Sequence, residues 1–85
     1  MNYLHWEMNA GSGNVIAVEL TRAANVLLLD DSNYSAYRRG GSYRYHGGHA
    51  KQTPARLVPP HSGHWHVVVD LGGYGGHVEA SVSML

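Results

Sequence analysis

His64 and His66 stand first among the residues of this chain that can do chemistry. Residues two apart on a strand point to the same side, so imidazoles at this spacing can share a divalent metal ion. Asp70 falls on the same face and completes a candidate ligand set of His64, His66 and Asp70. His5, His61 and His77 occupy outward or turn positions elsewhere and offer a third imidazole. A cupin-type iron or zinc site uses such a pair, but the further glutamate, second motif and longer barrel of that pattern are missing here. The competing reading is a polar outer face on which histidines lie flat and hydrogen-bond to their neighbours. Seven histidines also admit a pH-sensitive surface, because imidazole titrates near pH of about 6.5.

A second constellation is basic and aromatic: Tyr34, Tyr37, Arg38, Arg39, Tyr43, Arg44, Tyr45 and Lys51. Tyrosine faces can stack on bases or sugars, and guanidinium forks suit phosphate or carboxylate. Against this, the tyrosines can equally cover one end of the core while the arginines form a solvated rim. The charge distribution favours a binding surface. Arg38, Arg39, Arg44, Lys51 and Arg56 lie between Ser32 and His61, a stretch without an acid, and all six acids lie outside it with Arg22. Net charge is zero with histidine neutral, which makes a dedicated nucleic-acid binder a poor fit, since phosphate contacts dominate such affinity. A small anionic ligand or a protein partner fits better.

Other motifs carry less. Asp30-Asp31-Ser32-Asn33 gathers oxygen ligands that calcium can use, although helix capping accounts for them with fewer demands. The glycines around Tyr74 precede a strand, not a helix, and so make a turn instead of a phosphate cradle. Ser62, His61, His64 and Asp70 have the residue types of a triad but no elbow to aim a nucleophile. The chain therefore reads as non-catalytic. It calls for no cofactor beyond the divalent metal of the histidine reading.

These side chains must be positioned by strands. Leu4, Trp6 and Met8 alternate with Tyr3, His5 and Glu7; Ile16, Val18 and Leu20 alternate with Ala17, Glu19 and Thr21. Asn25 to Asp30 is nearly continuous apolar sequence, which suits a strand covered on both faces. A short helix follows, capped by Asp31 or Ser32 and closed by Gly40, with Arg38 and Arg39 in its last turn. Gly41 to His49, within which Tyr43 to His46 alternates, reads as a loop containing a short strand or ribbon, and Pro54 to Val58 as a short edge strand. His64 to Leu71 is the clearest strand, with Trp65, Val67, Val69 and Leu71 on one face and His64, His66, Val68 and Asp70 on the other. A glycine-rich hairpin loop with Tyr74 at its tip leads to His77–Met84, with Val78, Ala80, Val82 and Met84 inward. Strands and turns at this spacing predict an all-β, mainly antiparallel fold: a small jelly-roll-like β-sandwich of six to eight strands with one short helix in the central loop.

Eighty-five residues with 44% hydrophobic content supply one core, and residues 1–85 read as a single domain in which 32–61 is a basic, tyrosine-rich insertion. With neither cysteine nor phenylalanine, stability rests on the two tryptophans, the aliphatics and the tyrosines. The lack of cysteine fits a reducing compartment, and neither a leader nor a membrane-length apolar run is visible, so a cytoplasmic protein is expected. A third role, oligomerisation through the strand edge at Lys51–Val58, is also open.

Met1-Asn2-Tyr3-Leu4-His5, Ala23-Ala24-Asn25-Val26, Asp31-Ser32-Asn33-Tyr34 and above all Ser62-Gly63-His64-Trp65-His66-Val67-Val68-Val69-Asp70-Leu71-Gly72-Gly73-Tyr74 resemble the bacterial family DUF1883, a domain of unknown function. The resemblance implies a small β-rich domain found alone or ahead of a TIR domain, where it would serve recognition or regulation. It implies no catalytic residues. The leading expectation is a non-catalytic binding or regulatory module built on the basic tyrosine segment; the alternative is a metal-binding protein or metal-dependent enzyme built on His64 and His66.

Overall fold

A computed structural model describes residues 3–73 and 75–85. Its strands are β1 (Tyr3–Ala10), β2 (Ile16–Leu20), β3 (Ala24–Asp30), β4 (His46–Ala50), β5 (Ala55–Leu57), β6 (Gly63–Asp70) and β7 (Ala80–Met84), with one helix, α1 (Asp31–Arg39), between β3 and β4. They form a four-stranded sheet in the order β1-β6-β3-β4 and a three-stranded sheet in the order β5-β2-β7. Every pairing is antiparallel. The expected all-β, mainly antiparallel architecture is what the chain adopts.

Strand alternation sets the layers. Val26, Leu28, Trp65, Val67 and Val69 face the three-stranded sheet and join Ile16, Val18 and Leu57 in the main core. The opposite side chains, Leu27, Leu29 and Val68, form a second core with Tyr37 of the helix, flanked by Tyr3, Tyr34 and Tyr43. β3 is thus apolar on both faces because it is covered twice, by the second sheet and by α1. Burying a Leu or Val side chain contributes roughly 1.5–3 kcal/mol, so these two strands dominate the fold's stability.

The helix starts without a linker. Asp30 ends β3 and is also the N-cap, its Oδ1 accepting the Asn33 N–H at 2.9 Å. The expected caps were Asp31 or Ser32; the cap falls one residue earlier because the extended backbone of Asp30 already supplies the geometry a cap needs. That one-residue difference leaves the Asp31 carboxylate available for other work. Gly40 closes the helix in the left-handed conformation (φ 77°), as expected, donating its N–H to Tyr37 O.

Two further expectations change. The short strand expected within Gly41–His49 is β4, at the end of that stretch and not over the alternating Tyr43–His46; in it Gly47 lets the backbone come so close to β3 that any Cβ would collide with the Val26 carbonyl oxygen. The loop after β6 is not a hairpin, because β6 and β7 lie in different sheets, and Tyr74, expected at its tip, lies outside the described residues. Pro54–Val58 is an edge strand as expected, shortened to Ala55–Leu57 on the margin of the smaller sheet. In β7, Val82 packs on the core, but Met84, expected inward, is 47% exposed. Among the described residues no helix is long and apolar enough to cross a membrane.

Asp70 is buried beneath the helix. Its Oδ2 accepts the Tyr37 hydroxyl at 2.6 Å, and its Oδ1 accepts Asn25 Nδ2 at 3.0 Å and the Gly72 N–H at 2.9 Å. Burial pushes the Tyr37 phenol pKa well above its ordinary value, and the bond to Asp70 adds to that rise. A buried carboxylate that loses a donor costs about 1–3 kcal/mol. Tyr37→Phe should therefore lower the unfolding free energy in urea by about that amount, and an unchanged denaturation midpoint would show that this bond does not hold α1 in place.

Candidate functional site

β1 and β6 pair with Glu7 opposite His66, His5 opposite Val68 and Asn9 opposite His64. Directly opposed residues share a face, so His5, Glu7, His64 and His66 gather on the side of the sheet that α1 covers. The helix, leaving the end of β3, then sets its first-turn Asp31 over the same spot. One Asp31 oxygen, Oδ1, lies 2.6 Å from His66 Nε2 and 2.8 Å from His64 Nδ1. His64 Nε2 lies 3.2 Å from Glu7 Oε1.

Behind these groups the network continues inward. His66 Nδ1 faces His5 Nε2 at 2.9 Å, His5 Nδ1 faces the Tyr34 hydroxyl at 3.2 Å, and Tyr34 faces the Tyr3 hydroxyl at 3.1 Å. The Tyr34 ring stacks over this imidazole pair, 4.2 Å from each and within 10° of parallel. One proton arrangement satisfies every contact with both imidazoles neutral: Tyr3 donates to Tyr34, Tyr34 to His5 Nδ1, His5 Nε2–H to His66 Nδ1, and His66 Nε2–H to Asp31. Among the described residues no buried side-chain nitrogen or oxygen lacks a partner.

The electrostatics agree with that arrangement. The hydrogen bond from His66 holds the Asp31 carboxyl below its usual range, helped by the bond from His64. Burial, and then the neighbouring His66, lower the His5 pKa and keep it neutral. Burial, with the bond to Tyr3, pushes the Tyr34 phenol up to about 12, so it stays protonated.

Of the expected metal set, His64 and His66 are together, and Asp70 is not with them. Asp70 shares their face, but it sits at the far end of β6 with its carboxylate committed to Tyr37, Asn25 and Gly72. Glu7 and Asp31 supply the carboxylates instead, and of the three other histidines proposed His5 joins. Glu7 was legible as an outward residue of a strand, but only the β1–β6 register brings it to His66. Asp31, read as a cap or a calcium ligand, arrives through the direct junction of β3 and α1.

The basic tyrosine set is divided. Tyr37 is buried, Tyr34 is stacked on His5 and His66, and Tyr43 packs its edge on Tyr37 at 5.2 Å. Arg38 lies 5.9 Å above the Tyr34 ring, and Arg39 donates to Ser35 Oγ at 3.1 Å. Lys51 is exposed just beyond β4. Tyr43, Arg44 and Tyr45 do converge, on an open cleft of about 660 Å³ that His46 and Trp65 also line. Asn33 Oδ1 accepts the Arg44 N–H at 2.7 Å and so ties this loop to the start of α1.

A family model described as a domain of unknown function, DUF1883, matches residues 1–85. The chain belongs to the DUF1883 family. No significant match was found among curated proteins or among solved structures. The match spans all the strands, so both the histidine face and the tyrosine cleft lie within the DUF1883 domain.

Because the His5 pKa is lower folded than unfolded, the unfolded chain binds that proton more tightly. The stability from this source is complete above the unfolded value of about 6.5 and declines as pH falls toward the folded value. Asp31, also lowered, acts in the same direction in its own, more acid range. The melting temperature should fall between pH of about 7.5 and 5.5, and His5→Gln should reduce that fall. An identical pH dependence in the variant would contradict the assignment.

Proposed function

We propose that this domain is a non-catalytic binding or regulatory module whose ligand is small, anionic and carries an aromatic or sugar ring, as a nucleotide does. The observation that supports this most is the cleft where Tyr43, Arg44 and Tyr45 meet His46 and Trp65. Its volume falls in the range of small-molecule sites. Tyr45 is 48% exposed and offers a face for stacking, while Arg44 is exposed and makes no ion pair among the described residues. A fixed cation without an acid partner is available to a ligand at no cost of breaking an existing pair.

This reading keeps the ligand-binding segment but narrows it, since Tyr34 and Tyr37 spend their rings and hydroxyls on structure. A bacterial cytoplasmic setting, and service beside a TIR domain as its sensing part, belong to the same proposal. The chain's cysteine-free composition agrees with that setting.

The test is a thermal-shift screen of nucleotides, sugar phosphates and aromatic carboxylates against the wild type and the Arg44→Glu/Tyr45→Ala double variant. Both positions are exposed, so the variant should keep its stability within about 0.5 kcal/mol of the wild type. At least one anionic ring compound should stabilise the wild type and not the variant. Equal stabilisation of both proteins, or of neither, would rule the cleft out as the site.

A further inference from the structure

The histidine face carries chemistry of its own, separate from the cleft. We infer that Glu7, His64 and His66 form a binding site for a divalent transition-metal ion of the zinc class, with Asp31 and His5 as orienting partners behind the two imidazoles. One ligand atom from each of Glu7, His64 and His66 lies within 4.8 Å of the others. Zinc bonds of about 2.0–2.2 Å in a tetrahedral shell place neighbouring ligands roughly 3.3–3.6 Å apart. Closing the site on an ion therefore asks for side-chain movements of about an ångström in the exposed Glu7 and His64, and for the exposed Asp31, whose Oδ1 lies 2.6 Å from His66 Nε2, to give up that contact and keep the one to His64.

Each imidazole has a partner on its other nitrogen. Ligation through His64 Nε2, the nitrogen next to Glu7, leaves Nδ1–H on Asp31 at 2.8 Å. Ligation through His66 Nε2 leaves Nδ1 facing His5 Nε2 at 2.9 Å, and His5 in turn faces the Tyr34 hydroxyl. A carboxylate or a second polar group behind a ligating histidine fixes its tautomer and raises its basicity, and this is the arrangement metal sites use. Ligation at His66 Nε2 frees Asp31 from that nitrogen and reverses the series, so that His66 Nδ1–H donates to His5 Nε2, His5 Nδ1–H to Tyr34 and Tyr34 to Tyr3, and both imidazoles stay neutral. The two carboxylates of Glu7 and Asp31 then balance the ion's two positive charges.

The donor set decides the class of ion. Two imidazole nitrogens and one carboxylate oxygen suit zinc, cobalt or nickel, whereas calcium and magnesium want shells made of oxygen. Three protein ligands leave a fourth position for water or for an anionic group of a ligand. His66 is only 6% exposed, while His64 and Glu7 lie at the surface, so one anchor is rigid and the open side faces solvent.

The experiment is calorimetric titration of untagged protein with zinc chloride, repeated with nickel and cobalt, on the wild type and on Glu7→Gln, His64→Ala, Asp31→Asn and His77→Ala. One ion per chain should bind the wild type. Glu7→Gln and His64→Ala, both at exposed positions that should fold, should weaken binding by at least tenfold. Asp31→Asn should cost about tenfold as an orienting group. His77→Ala should bind as the wild type does. No binding of any of the three ions to folded wild type, or wild-type affinity in both Glu7→Gln and His64→Ala, would overturn the inference. Either result leaves the cleft proposal standing, because no variant here touches Tyr43, Arg44 or Tyr45.

Discussion

The hydrogen bond from the Tyr37 hydroxyl to the buried Asp70 carboxylate is the constraint on which the outer face of the larger sheet depends. Without a helix clamped there, Leu27, Leu29 and Val68 would be an exposed apolar stripe, and the histidines beside them would be ordinary surface groups. With α1 in place the stripe becomes a second core. The helix then runs from the end of β3 at an angle that lays Asp31 over His64 and His66. One buried bond at the C-terminal half of the helix and one carboxylate at its first turn pin it at both ends of β6.

The two faces of the same strands show different solutions to burial. Toward the smaller sheet, Trp65, Val67 and Val69 need only packing. Toward the helix, each buried polar group must find a partner, since leaving one unpaired costs about 1–3 kcal/mol. The Tyr3–Tyr34–His5–His66–Asp31 series meets that demand with a continuous set of donors and acceptors. A fully partnered network of this kind is ordered in one arrangement, and ordered imidazoles with free access from one side are what a ligand or an ion can use. The cleft at Tyr43–Tyr45 is built differently: it is open, its Arg44 makes no ion pair among the described residues, and its loop is tied to the helix by Asn33 and by the packing of Tyr43 on Tyr37.

Much of the fold was legible because it rests on local pattern. Alternation over Tyr3–Met8 and His64–Leu71 assigned the faces of β1 and β6 correctly, and the apolar run Val26–Leu29 signalled a strand covered twice. The pairing of these strands was not legible, since β1 meets β6 across some sixty residues and no local signal sets that register. Hence Glu7 and His5 could be called outward but not placed beside His66, and Asp70, two pleats away from His66 on one strand, looked nearer to it than it is. The aromatic segment misled for a related reason. Composition cannot tell a tyrosine that serves a ligand from one that serves the fold: Tyr34 stacks on His5 and His66, and Tyr37 bonds to Asp70, both held by residues from β1 and β6.

The most direct measurement is the long-range proton–nitrogen spectrum of the seven histidine side chains, recorded near neutral pH before and after one equivalent of zinc. Before zinc, His5 and His66 should each show a single neutral tautomer carrying its proton on Nε2. After zinc, the ring nitrogens of His64 and His66 should move to metal-bound positions while those of His46, His49, His61 and His77 stay put. Seven histidines with mixed, freely exchanging tautomers, none of them answering to zinc, would contradict the account of an ordered histidine centre beneath α1.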